Sequence, residues 1–197
     1  MLKLWTRPPP LTADAPEEAL VERARAADPE AFRLIFERHS QAVNRFAYDL
    51  LGNASAAEEA TQETFFRAHT LLPRLRDSVR LKAFLLGIAR NVCFEQRRLG
   101  PTLDASEDDE VLEAVIPGPD PLGVLMDAEL EGHFNEALAT LKPQRRAALL
   151  MLMDHGLSYD EIADALAWSL PTVKNEIHRA RLSLRQKMLP HLTRSTP

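Results

Sequence analysis

Between Pro171 and Lys187 the sequence gathers Thr172, Lys174, Asn175, Glu176, His178 and Arg179 in a stretch with five Lys or Arg and a single acid. Hydroxyl, amide and imidazole groups exchange hydrogen bonds with base edges, a carboxylate accepts from an amino group, and Lys and Arg neutralise phosphates. The chemistry on offer is recognition of nucleic acid. Catalysis is not expected, because the chain carries no glycine-rich phosphate loop, no metal-ligand spacing and no nucleophile motif. For the same reason neither a cofactor nor a bound metal is anticipated. A charged stretch can equally be a solvated helix face, so the elements around it must decide.

Leu170, Val173, Ile177, Ala180 and Leu184 recur at spacings of three, four, three and four, which makes one buried stripe of a helix. At about 100° per residue, Asn175, His178 and Arg179 then point away from the core, with Thr172 beside them and Lys174 and Arg181 on one flank. Ser169 is placed to cap this helix, and Pro171 is tolerated in its first turn, where a missing N–H matters least. Just upstream, Ser158 and Glu161 form a capping box, and Leu157 can staple onto Ile162. Two capped helices joined by the short turn Ala167 and Trp168 are the pattern of a helix-turn-helix, in which the second helix enters the major groove.

The rest of the chain also reads as helix, giving an all-α fold of two small domains. Residues 1–16, with Pro8, Pro9 and Pro10, lack apolar periodicity and read as an extension. A short helix over Pro16 to Ala27 precedes Asp28 and Pro29, a cap with Pro in first position. Phe32, Phe36, His39, Val43, Phe46 and Leu50 continue to Gly52 and should bury an aromatic face. His39 has no partner at ligand spacing and reads as a core histidine. Ser55 and Glu58 suggest a further capping box, opening a helix that runs to about Leu72 before Pro73. The next helix, Val79 to Arg98, carries Leu81, Phe84, Leu85, Ile88, Val92 and Leu99, with Gly87 inside it. From Arg74 to Arg98 there are seven basic residues, among them Arg76, Arg80, Lys82 and Arg90, against two acids, Asp77 and Glu95. That surface can track a phosphate backbone. Helices over Met126 to Leu141 and Lys142 to Asp154 complete a second domain, so the expected division is 17–99 and 126–190, joined by a flexible linker over 100–125.

The formal charge of −5 looks unsuited to a DNA-binding chain of 197 residues. It is unevenly spread, however: from Gly100 to Gly132 lie ten of the 29 acids and none of the 24 Lys and Arg, so the remainder is net positive. The one cysteine, Cys93, excludes an internal disulfide and a Cys-rich zinc site, and reads as a small buried apolar residue. No apolar run approaches the ~20 residues that span a bilayer, and Met1 to Pro10 lacks the apolar core of a signal peptide. A cytoplasmic protein with no membrane insertion of its own is the expectation.

Three runs carry a resemblance. Leu157-Ser158-Tyr159-Asp160-Glu161-Ile162-Ala163, then Thr172-Val173-Lys174, then His178-Arg179-Ala180-Arg181, resemble region 4 of the extracytoplasmic-function sigma factors, the bacterial promoter-specificity subunits of RNA polymerase. Gln62-Glu63-Thr64-Phe65 with Ala68, and Ile88-Ala89-Arg90-Asn91, resemble region 2 of the same family. The resemblance implies that Thr172, Lys174, Asn175, Glu176, His178 and Arg179 face a −35 promoter element. It implies that Arg76, Arg80, Lys82, Arg90 and Asn91 face the −10 element, with Asn91 at a pocket for a flipped base. Glu59, Gln62 and Glu63 would contact core RNA polymerase. Promoter DNA and an anti-sigma factor are the further implied partners, and the acidic linker would pass near the active centre and RNA exit path.

Glu176 stands where the family generally places a basic residue, and Pro171 where it places Gly. Glu176 has two readings, an acceptor for a cytosine amino group in the major groove or an ion-pair partner orienting Arg179 one turn later. For the whole chain the alternative to an initiation factor is a stand-alone helix-turn-helix regulator with an N-terminal sensing or dimerising domain. That reading accounts for the region 4 match and leaves the Gln62-Glu63 match and the basic helix around Asn91 unexplained.

Overall fold

The structure is a computed structural model that describes residues 11–12, 14–75, 77–99 and 128–192. The expected N-terminal extension, apart from a few residues before Glu17, and the expected linker over 100–125 lie outside those residues, as does Arg76. The chain divides into two compact units, Met1–Gln96 and Arg97–Pro197. Every regular element among the described residues is helical.

The first unit holds α1 (Glu17–Arg25), α2 (Pro29–Leu51), α3 (Ala54–Leu71), two single 3-10 turns (Leu72–Arg74 and Ser78–Arg80) and α4 (Leu81–Leu99). Asp28 starts α2 as expected: its Oδ1 accepts from the Glu30 N–H at 3.0 Å, while Arg23 Nε donates to Oδ2 at 2.7 Å, tying the end of α1 to the start of α2. Gly52 ends α2 in the left-handed region, φ 70°, where a side chain would be strained. The capping box expected at Ser55 and Glu58 does not form. Asn53, extended after the turn at Gly52, caps α3 by accepting from the Ala56 N–H at 2.9 Å, and Ser55 and Glu58 sit exposed on the helix. Asn is as good a cap as Ser, and it comes two residues earlier.

α2 packs on both α1 and α3. Its buried face is Ala31, Leu34, Ile35, His39, Val43, Phe46, Ala47 and Leu50. The expected stripe holds at His39, Val43, Phe46 and Leu50 and departs at its start, where Phe32 is half-buried and Phe36 is 42% exposed. Both rings instead meet Phe65 of α3 edge-on, with centroids 6.4 and 4.8 Å away. α3 offers α2 the small residues Ala57, Ala60, Thr61, Thr64 and Ala68, all buried. The two threonine hydroxyls donate back to the carbonyls of Ala57 and Ala60, at 2.7 and 2.6 Å, so burial leaves neither unsatisfied. In α4, Leu81, Leu85, Leu86, Ile88, Ala89, Val92 and Cys93 are buried, and so is Gly87.

His39 is a core histidine in agreement with its reading from sequence. It is buried, and its Nε2 lies 3.1 Å from Glu17 Oε1 on α1.

The second unit comprises α5 (Ala128–Ala139), α6 (Pro143–Met153), α7 (Tyr159–Leu166) and α8 (Leu170–Leu192). α8 packs against the other three, and α6 against α7. Ala147, Leu149, Met151, Ile162, Val173, Ile177 and Ala180 are almost wholly removed from water, so α8 is held along its length by apolar contact. Each such large side chain contributes roughly 1.5–3 kcal/mol of burial.

Candidate nucleic-acid interface

The local folding of the second unit sets the recognition face. The Ser158 and Glu161 capping box is present: Ser158 Oγ accepts from the Glu161 N–H at 3.3 Å, and Glu161 Oε2 accepts from the Ser158 N–H at 2.8 Å. Leu157 and Ile162 are both buried beside it. α7 ends at Ala167, left-handed with φ 53°, and the Trp168 N–H closes onto the Ala163 carbonyl at 2.9 Å. Ser169 Oγ then accepts from the Thr172 N–H at 3.2 Å, capping α8 as expected.

With Val173, Ile177, Ala180 and Leu184 buried, and Met188 extending the stripe, the outward residues are fixed. Thr172, Lys174, Asn175 and His178 are exposed, and Glu176, Arg179 and Arg181 are half-buried at the edge. The Thr172 hydroxyl lies 2.7 Å from Ser169 Oγ and so also serves the cap. Glu176 pairs with Arg179 Nη1 at 3.4 Å and, more closely, with Nε of Arg145 on α6 at 2.8 Å. Arg145 was not legible beforehand. It lies 31 residues from its partner, and local spacing carries no information at that separation.

In the first unit Asn91 is exposed on α4, and its side-chain oxygen accepts from Arg90 Nη1 at 2.9 Å. The Arg90 guanidinium also lies over the Phe94 ring, 4.5 Å from its centroid, a cation–π contact that limits its motion. Arg90 and Asn91 therefore stand together as a preset cation and amide. The other expected residues do not all join them. Arg80 lies in the turn before α4, 3.5 Å from Asp77. Lys82 is nine residues before Asn91, which places it about half a turn round the helix, and its charge acts instead on His39 and Glu17.

The expected polymerase contacts occupy one face of α3. Glu59 and Gln62 are exposed, and Glu63 is half-buried. Glu63 binds Arg67 Nε at 2.6 Å, and Arg67 reaches Glu95 of α4 at 2.8 Å. The two carboxylates, that of Glu95 foremost, hold the guanidinium firmly charged. Phe66 completes the same face and is 72% exposed, more than any other large apolar residue described. Its position one turn beyond Gln62, off the buried stripe, was the signal that could have found it.

Residues 35–99 match sigma-70 region 2, and residues 134–184 match sigma-70 region 4. The ECF RNA polymerase sigma factor SigL of Mycobacterium tuberculosis is 30% identical over 175 residues, covering 85% of this chain and 94% of SigL. SigE of Mycolicibacterium smegmatis is 32% identical over 168 residues, covering 85% of this chain, which spans 65% of the length of SigE. Among solved structures, the sigma factor RpoE of Bartonella quintana, in complex with the anti-sigma factor NepR, superposes with a TM-score of 0.59 at 25% identity, over 80% of this chain and 96% of RpoE. CnrH, in complex with the cytosolic domain of CnrY, shares the fold, with a TM-score of 0.63 at 21% identity over 91% of this chain and 99% of CnrH. Two helical units, one with a helix-turn-helix and one with a basic helix beside an acidic and aromatic face, define the sigma-70 class. Within that class the chain belongs to the extracytoplasmic-function sigma factors, the initiation factors that direct RNA polymerase to promoters.

Proposed function

We propose that this chain divides promoter recognition between its two units, with the chemistry left to polymerase. The α8 residues Thr172, Lys174, Asn175, His178 and Arg179 face the −35 element. Arg90 and Asn91 face the melted −10 element. The observation that carries this reading is the pairing of Arg90 with an exposed Asn91, because an amide both donates and accepts and can read a Watson–Crick edge. Glu59, Gln62 and Phe66 form the face offered to core polymerase, and the Glu63, Arg67 and Glu95 network stiffens it.

An anti-sigma factor restrains the chain by covering the α3 face or α8. The support is that RpoE, which this chain resembles at 25% identity, is found bound by the anti-sigma factor NepR. Work on DNA and polymerase places the chain in the cytoplasm, and no helix among the described residues is long and apolar enough to cross a membrane. A stand-alone regulator would use α7 and α8 equally well but would have no use for the region 2 match over residues 35–99.

The test is transcription by core polymerase reconstituted with the full chain, with start sites mapped to define the promoter. Asn91→Ala should slow open-complex formation and relax preference at one −10 position while −35 binding is retained. Unaltered base preference and activity in that variant would remove Asn91 from the site.

A further inference from the structure

Glu176 is the one acid in the outward-facing part of α8, and its surroundings decide what it does. Both carboxylate oxygens are engaged: Oε2 receives Arg145 Nε at 2.8 Å, and Oε1 receives Arg179 Nη1 at 3.4 Å. The three side chains are 16%, 22% and 34% exposed, in the order Arg145, Glu176, Arg179. The carboxylate is thus shielded on the core side and held by a residue from a different helix. To accept from a cytosine amino group it would have to give up a charge-assisted bond in a part-buried setting, and such bonds are about twice as strong as neutral ones. Arg179, the most exposed of the three, is the member left at the DNA side. Two guanidiniums around one carboxylate also leave the group net positive, as a phosphate- or guanine-facing site requires.

We infer that Arg145 is a positioning residue for promoter recognition: it anchors Glu176, Glu176 orients the Arg179 guanidinium, and Glu176 itself reads no base. This rests on the reading of α8 as the −35 recognition helix. A guanidinium held from behind needs less ordering on binding, and a fixed fork discriminates guanine from other bases better than a freely rotating one.

The experiment measures affinity of the reconstituted holoenzyme for single-base variants of the −35 element, with wild type, Arg145→Ala, Arg145→Gln, Glu176→Ala and Arg179→Ala, each checked for an unchanged melting profile. Arg145→Gln keeps the length of the side chain, so it covers the case in which Arg145→Ala loosens α6. Arg179→Ala is expected to reduce discrimination about tenfold at one base pair. Arg145→Gln and Glu176→Ala are expected to reduce it about threefold or more at that same base pair, with the other positions within about twofold. Arg145→Gln combined with Arg179→Ala should lose no more there than Arg179→Ala alone, since coupled residues are not additive. A uniform loss across all variants for Arg145→Gln, with a shallower salt dependence, would make Arg145 a phosphate contact and overturn the inference alone. Loss at a different base pair in Glu176→Ala would make Glu176 a reader and overturn it as well. A flat profile for Arg179→Ala would instead sink the reading of α8 itself, and the inference with it.

Discussion

Burial, reinforced by the charges of Arg38 and Lys82, lowers the His39 pKa to about 4, although Glu17 Oε1 lies 3.1 Å from its Nε2. Burial likewise raises the Glu17 carboxyl above its ordinary value, so neither partner is favoured in its charged form. Because an unfolded histidine titrates near 6.5, the unfolded chain binds more protons than the folded one between pH 6.5 and about 4. The folded state is therefore weakened as pH falls through that window. Glu17 acts with the opposite sign, since its raised pKa favours the folded state toward the acid end and loses that advantage as pH rises. The share of His39 in the change from pH 7 to pH 5 should be about 2 kcal/mol, read as the difference in pH dependence between the wild-type chain and His39→Gln. Denaturant unfolding of the full chain at pH 7 and pH 5 measures it. His39→Gln should flatten the dependence whatever its own effect on stability, and an equally steep dependence in that variant would exclude His39 as its source.

Helix caps account for most of what could be read at the scale of the element. Asp28, Ser158 and Ser169 all start helices where side-chain chemistry put them, and the buried stripe of α8 follows its three-four spacing from Val173 to Leu184, with Leu170 only half-buried at its start. Two expectations failed for reasons that sequence leaves open. The Ser55 and Glu58 pair satisfied the spacing of a capping box, but Gly52 turned the backbone early and let Asn53 take the cap. Substituting Asn53→Ala should accordingly cost about 1 kcal/mol of stability, whereas Ser55→Ala should change it by less than about 0.5 kcal/mol. Chemical denaturation of the two variants separates these outcomes, and the reverse ranking would reinstate Ser55. In α2 the expected stripe holds from His39 to Leu50 and shifts only over its first two turns. Leu34 and Ile35 supply apolar area next to the aromatic stripe, so the helix turned to bury them and left Phe36 at the edge against Phe65. Of the candidate site, the outward residues of α8 and the Arg90 and Asn91 pair were legible from periodicity and resemblance. Arg145 was not, because its pairing depends on which helix lies next to which, whereas Phe66 and the half turn between Lys82 and Asn91 follow from helix spacing that the motifs alone do not use.

At the scale of the whole molecule, charge is segregated along the chain. Ten acids fall between Gly100 and Gly132, and every Lys and Arg lies outside that segment. An overall charge of −5 opposes approach to DNA, and each reading unit by itself offers only a short recognition face. Polymerase removes both handicaps by presenting the units to one promoter at high effective concentration. The isolated chain should bind duplex promoter DNA weakly at physiological salt, and the holoenzyme tightly, in parallel binding titrations. Tight and sequence-specific binding by the chain alone would contradict this division of labour.

Cys93, the chain's one cysteine, lies fully buried in α4. A thiol reagent can reach it only when the first unit opens, and no other sulfhydryl in the chain competes for the reagent. With reclosing faster than labelling, the rate of alkylation is the intrinsic thiol rate multiplied by the opening equilibrium. A partner that grips α3 and α4 slows the reaction by the factor 1 + [L]/Kd, while one confined to α8 leaves it unchanged. Nature has thus supplied a built-in clock, requiring no introduced probe, that reports which unit an inhibitor or polymerase fragment holds.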